Sequence, residues 1–119
     1  MIEIMPESSG AMLAVKATGK LTDADYKQVW IPKLEELIKQ FGKIRAVVFF
    51  TKDFEGWELH AAWDDASFGL KHRSDFEKIA VVGAGRWVEW GTKLGSHLMS
   101  GEVKTFSEAQ LPEALAWAK

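Results

Sequence analysis

The chain has 119 residues, 47% of them hydrophobic and 27% charged, the balance of an ordinary globular domain and too short for two independent cores. A formal net charge of −2 with dispersed Lys and Arg excludes the basic field that nucleic-acid binding needs, so no nucleic acid is expected as a partner. Cysteine is absent, which removes disulfides, thiol nucleophiles and thiolate metal ligands.

From the N-terminus, Ile2 to Met5 and Met12 to Thr18 read as two strands around Pro6-Glu7-Ser8-Ser9-Gly10, and the spacing predicts a hairpin. Within the second strand Leu13, Val15 and Ala17 alternate with Met12, Ala14 and Lys16, suggesting one face on the core and one less buried. Thr22 then offers an N-cap, with Asp23 and Asp25 in the first turn of a helix. Its apolar stripe runs through Tyr26, Val29, Trp30, Leu34, Leu37, Ile38 and Phe41 and stops at Gly42. Pro32 predicts a kink or break at Trp30-Ile31, because proline lacks the amide hydrogen and crowds the preceding turn.

Ala46 to Phe50 and Ile79 to Val82 are continuous apolar runs of the kind a parallel sheet covers on both faces, and Val103 to Phe106 is a weaker third. Between them, Leu59, Ala62, Trp63, Ala66 and Leu70 form one helical stripe and Trp87, Trp90, Leu94 and Leu98 another. Ser107-x-x-Gln110 is a capping-box pattern before a terminal helix containing Pro112, Ala114, Leu115 and Ala118. The expectation is a single α/β domain over residues 1–119, layered, with a mostly parallel central sheet, an N-terminal hairpin and about four helices.

Several short motifs then fall in order: Tyr26…Trp30-x-Pro32, Phe54-Glu55-Gly56-Trp57, Ala62-Trp63-Asp64-Asp65, Ile79 to Gly83 with Arg86-Trp87, and Ala114-Leu115-Ala116-Trp117. Together they resemble the SpoIIAA-like family of small bacterial proteins. The resemblance implies a STAS-like fold, that of anti-sigma-factor antagonists, with a further likeness to the lipid-binding lobe of Sec14-type proteins. Neither function passes to a chain by fold alone. The antagonists use a phosphorylatable Ser next to an Asp where a central strand meets the following helix. Here that junction reads Phe50-Thr51-Lys52-Asp53-Phe54, with no Ser between Gly10 and Ser67. Thr51 is the phosphate acceptor this leaves, against the plainer reading of a strand-terminating threonine.

Six Trp against one Tyr is the unusual feature of the composition. Trp57, Trp63, Trp87 and Trp90, with Asp64 and Arg86 at the mouth, are the candidate lining of a groove between the second and third helices for an apolar or amphipathic, lipid-like molecule. Trp63, Trp87 and Trp90 also sit on core stripes, where indoles fill interiors, so Trp57 is the candidate that packing does not explain. Gly83-Ala84-Gly85-Arg86 joins a strand to a helix and offers backbone N–H groups to an anion, although a plain βα turn accounts for it and Val88 stands where a dinucleotide fingerprint needs glycine. His60, His72 and His97 belong to no ligand pattern, so neither metal nor cofactor is expected. His72-Arg73 is expected to end the second helix, and Gly91-x-x-x-Gly95 to let another backbone pack closely on the third.

The sequence carries no nucleophile elbow or metal motif, and the expectation is a non-catalytic binding domain. Its alternative is a STAS-type regulatory domain that docks a protein on the face from Thr51 to Trp57. No apolar run reaches the roughly 20 residues of a membrane span. A cytoplasmic location and self-association as a homodimer complete the expectations.

Overall fold

In the computed structural model the structure describes residues 1–59, 67, 71–72, 74–83 and 101–119, with Trp57 described by its backbone. Strand β1 (Ile2–Ile4) pairs antiparallel with β2 (Met12–Ala17), setting Ile2 opposite Ala17 and Ile4 opposite Val15. The expected hairpin is present, and Ser8 closes its turn: the hydroxyl donates to the Ala14 carbonyl at 3.0 Å and accepts from the Ala14 N–H at 2.9 Å.

Parallel pairing then extends the sheet from β2 to β4 (Ile44–Phe50), β6 (Phe76–Val82) and β7 (Glu102–Phe106), in the order β1-β2-β4-β6-β7. Each parallel strand lies beside its predecessor, so the chain crosses the sheet in one direction. Two further short strands, β3 (Lys20–Leu21) and β5 (Gly56–Trp57), form a separate parallel ribbon that no sequence pattern announces.

The first helical region starts at Thr22, whose hydroxyl accepts from the Asp25 N–H while the Asp25 carboxylate accepts from the Thr22 N–H, a reciprocal capping box. It runs as α1 (Asp23–Asp25), a π turn (Tyr26–Trp30) and α2 (Ile31–Phe41), ending at Gly42 with φ 82°. The expected kink or break at Trp30-Ile31 takes the form of a widened turn, after which α2 opens with Pro32 in its first turn. Pro32 has no N–H to continue the regular ladder, and the Ile31 N–H reaches back five residues to the Tyr26 carbonyl. The wider turn still leaves Tyr26, Trp30, Leu34 and Leu37 buried on one side.

At the other end, Ser107 and Gln110 make the expected capping box around a 3-10 turn (Glu108–Gln110) that leads into α3 (Leu111–Ala118). Two helical regions therefore stand among the described residues, and the expected count of four has no support. The stretches expected to form the second and third helices lie largely outside the described residues, although Leu59, Ser67 and Lys71 have helical backbone.

The sheet separates two apolar layers. On one face Leu13, Val15, Ala17, Ala46 and Val81 pack with Trp30, Leu34 and Leu37 of the first helical region. On the other, Met12, Ala14, Val47, Ala80, Val82 and Phe106 pack with Ala114 and Ala118 of α3. Both faces of β2 are consequently buried apart from Lys16, and the less buried face read from its alternation is corrected. The reason is position: β2 is an interior strand, and the small side chains that looked peripheral admit a second layer. Each fully buried leucine, such as Leu13 or Leu34, contributes about 1.5–3 kcal/mol relative to exposure.

Candidate functional site

Ligands of open α/β sheets bind outside the carboxyl ends of the strands, where loops rather than ladders decide the surface. In this chain the ends of β2 and β4 are tied together rung by rung. The Thr51 N–H donates to the Ala17 carbonyl at 3.2 Å, the Glu55 N–H to Gly19 at 2.7 Å, and the Glu58 N–H to Leu21 at 2.8 Å. The β3–β5 ribbon sets Lys20 beside Gly56 and Leu21 beside Trp57. Gly19 (φ 58°) and Gly56 (φ 106°) supply the left-handed backbone these close turns require. Leu21 is fully buried, and Phe54 packs against Phe50 with ring centroids 4.6 Å apart, so the segment is anchored from beneath.

Above that anchor the side chains are polar. Thr51 Oγ1 donates to Asp53 Oδ1 at 2.7 Å and lies 3.3 Å from the Ala17 carbonyl. This hydrogen bond, with the backbone N–H of Asp53 and nearby Lys16, holds the Asp53 carboxyl below the usual carboxylate range. Lys52, Asp53, Glu55 and Glu58 are exposed around it. Leu59, the next residue, is 84% exposed although it falls on the apolar stripe assigned to the second helix. An amphipathic stripe identifies apolar spacing but not whether the helix end overhangs the core.

Of the candidate ligand residues, Trp57 is placed by its backbone in β5, within this tied segment. Trp63, Asp64, Arg86, Trp87 and Trp90 lie outside the described residues, as do His60, His97 and the Gly91–Gly95 pair. Thr51 is where the sequence puts it, at the end of β4, and its tie to Asp53 is the feature that sequence reading missed. Thr and Asp side chains favour turns by bonding nearby backbone groups, but this bond joins two side chains whose meeting depends on the folded turn. Gly83, with φ 144°, gives its N–H to the Phe106 carbonyl at 3.0 Å, so that donor is engaged in the sheet rather than offered to an anion. His72 follows the helical backbone of Lys71, where the sequence puts a helix end, and its Nδ1 lies 2.8 Å from Asp75 Oδ2 just ahead of β6. No cluster of three metal-ligating side chains occurs among the described residues, and no helix there is long and apolar enough to cross a membrane.

A family profile described as SpoIIAA-like matches residues 12–119. Among solved structures, the chain is similar to an uncharacterized protein of the DUF3478 family with a SpoIIAA-like fold from Shewanella loihica PV-4. The two are 38% identical over 99% of this chain and 94% of that one, with a TM-score of 0.79. The curated proteins contain no match. The profile spans all of the sheet except β1, the first helical region and α3, and the fold just described agrees with it: the chain belongs to the SpoIIAA-like family.

Proposed function

We propose that this domain is a non-catalytic, STAS-type regulatory module that docks a protein partner on the carboxyl end of its sheet, from Thr51 to Leu59. The observation that carries the reading is Leu59: a large apolar side chain, 84% exposed, directly after a segment fastened to the sheet by three backbone hydrogen bonds. An exposed leucine beside a fastened segment gives a partner an apolar group to bury at the interface. Lys52, Asp53, Glu55 and Glu58 precede Leu59 in the tied segment and are exposed, so the partner surface combines an apolar contact with basic groups.

A catalytic reading is less well supported at this place. Thr51 and Asp53 have the contact of a nucleophile and base, but a carboxyl held below its usual range is a weak base near neutral pH. The pair instead serves as a clamp on the turn. Phosphate on Thr51 would remove that donor and set new negative charge against Asp53, which gives the face a means of being switched.

A second reading, an apolar or amphipathic small molecule held by Trp57 with Trp63, Asp64, Arg86, Trp87 and Trp90, is favoured by the place of Trp57 in the same tied segment. One set of proteins tests both. Affinity capture from native lysate by wild type, Leu59→Ser and Trp57→Ala is compared with native mass spectrometry of each. Docking predicts a protein retained by wild type and lost by Leu59→Ser. A small molecule co-purifying with wild type and lost by Trp57→Ala favours the second reading, and equal capture by wild type and Leu59→Ser overturns the first.

A further inference from the structure

Strand β7 closes one side of the sheet, and among the described residues β6 is its sole neighbour. In its register Lys104 stands beside Ala80 and Phe106 beside Val82, so Lys104 lies on the face that α3 covers. The Phe106 carbonyl accepts from the Gly83 N–H across the β6–β7 ladder. Because backbone groups alternate in direction along a parallel strand, Glu102, Lys104 and Phe106 turn theirs toward β6, while Val103 and Thr105 turn theirs to the open side.

Two ammonium groups are held beside that edge by aromatic rings. Lys78 Nζ donates to the Trp117 carbonyl at 3.1 Å and lies 5.1 Å from the centre of the Trp117 ring. Lys104 Nζ lies 5.3 Å from the Phe106 ring centre and 6.0 Å from that of Trp117, and the two rings are 5.9 Å apart. Neither lysine has a carboxylate within ion-pair distance among the described residues, although Glu102 stands opposite Lys78 in the register. The cations are thus positioned without being neutralised.

We propose that the β7 edge accepts an extended acidic segment of another protein as a sixth strand. Outward N–H and C=O groups of Val103 and Thr105 supply the ladder, and alternate carboxylates of the incoming strand meet Lys104 and Lys78 over the Trp117 ring. The same charges select against the commonest wrong partner. An antiparallel pairing of two copies centred on β7 would set Lys104 against Lys104, and like charges directly opposite destabilise a strand pair. A lysine on an edge therefore repels self-pairing while it favours an acidic strand. This edge is separated from β4 and the Thr51 turn by β6, so it stands or falls independently of the docking face proposed above.

The test is a titration of the full chain, labelled with nitrogen-15, with an end-blocked peptide of alternating glutamate and valine. The amides of Val103 and Thr105 are expected to shift most. Lys104→Glu is expected to bind that peptide about tenfold more weakly and to gain affinity for the alternating lysine–valine peptide. Thr105→Pro keeps both lysines and removes an outward N–H, and it too is expected to lose the glutamate peptide, with the rest of each variant's spectrum showing an intact fold. Unmoved β7 amides, or wild-type affinity in both variants, overturn the proposal. So does a response to phosphatidylserine vesicles with none to the peptide, which would make the patch a lipid-surface contact.

Discussion

The hydroxyl of Thr51 and the carboxylate of Asp53 are 2.7 Å apart, and this bond is the first cause of the lowered pKa of Asp53. Replacing the hydroxyl with a methyl of the same shape isolates its contribution. In Thr51→Val the Asp53 carboxyl is expected to titrate at higher pH than in wild type, moving back toward the ordinary aspartate value. Carbon-13 shifts of the side-chain carboxyl against pH measure it. An unchanged Asp53 titration would mean that its own backbone N–H and Lys16 maintain the shift without Thr51. Asp53 is exposed on this turn, so the effect belongs to the local electrostatics of the site and not to global stability.

Leu34 and Leu59 are the same residue type with opposite environments, fully buried against the sheet and 84% exposed. Leu34→Ala removes three buried carbons between α2 and the sheet and is expected to cost about 2–5 kcal/mol, seen as a lowered denaturant midpoint with little change in slope. Leu59→Ser is expected to leave stability within about 0.5 kcal/mol of wild type. Should Leu59→Ser destabilise as Leu34→Ala does, the exposed leucine would be a packing residue and the docking face would lose its anchor.

These contrasts also show what the sequence made legible. The runs Ala46 to Phe50 and Ile79 to Val82 announce themselves because interior parallel strands are apolar on both faces. Thr22, Ser107 and Gly42 mark helix ends through local chemistry that needs no tertiary knowledge. Pro32 marks a disturbance, but whether the chain breaks or widens depends on keeping Tyr26 and Trp30 both buried, which is a property of the packed core. The β3–β5 ribbon is two residues per strand and arises because the ends of β2 and β4 are neighbours, so no periodicity encodes it. At the site, Thr51 was legible as a strand end and its Asp53 partner was not. Apolar spacing placed Leu59 on a core stripe, although the exposure of a helix end is decided by what lies beneath it.

Gly101 shows a constraint that lies wholly in backbone approach. A Cβ at this position would fall onto the Phe76 carbonyl oxygen and within 2.7 Å of the Glu77 carbonyl oxygen, where the chain enters β7 alongside the start of β6. Carbonyls of a paired strand cannot rotate away as a side-chain tip can. Gly101→Ala is therefore expected to destabilise by at least about 2 kcal/mol, the scale of overpacking in a closely fitted interior. A thermal melt coincident with wild type would show that the β6–β7 approach is looser than this geometry.

Asp25 gives the stability of the fold a defined dependence on pH. Burial opposes its ionisation, but the Thr22 N–H at 2.9 Å, the Thr22 hydroxyl at 3.1 Å and the N-terminal ammonium at 3.4 Å outweigh that cost and hold the carboxyl below its ordinary range. The folded state therefore releases the Asp25 proton more readily than the unfolded chain does. Between the two pKa values unfolding takes up a proton, so this contribution is complete above the unfolded value and fades as pH falls through the folded one. Asp25→Asn keeps an acceptor for the Thr22 N–H and removes the charge, and at neutral pH it is expected to cost about 1 kcal/mol, the difference between a charged and a neutral hydrogen bond. Denaturant unfolding of wild type and Asp25→Asn across the acid range measures the gap, which should narrow as pH drops below the ordinary aspartate range. A gap that stays constant there would show that geometry, and not charge, carries the contribution of Asp25 to the cap.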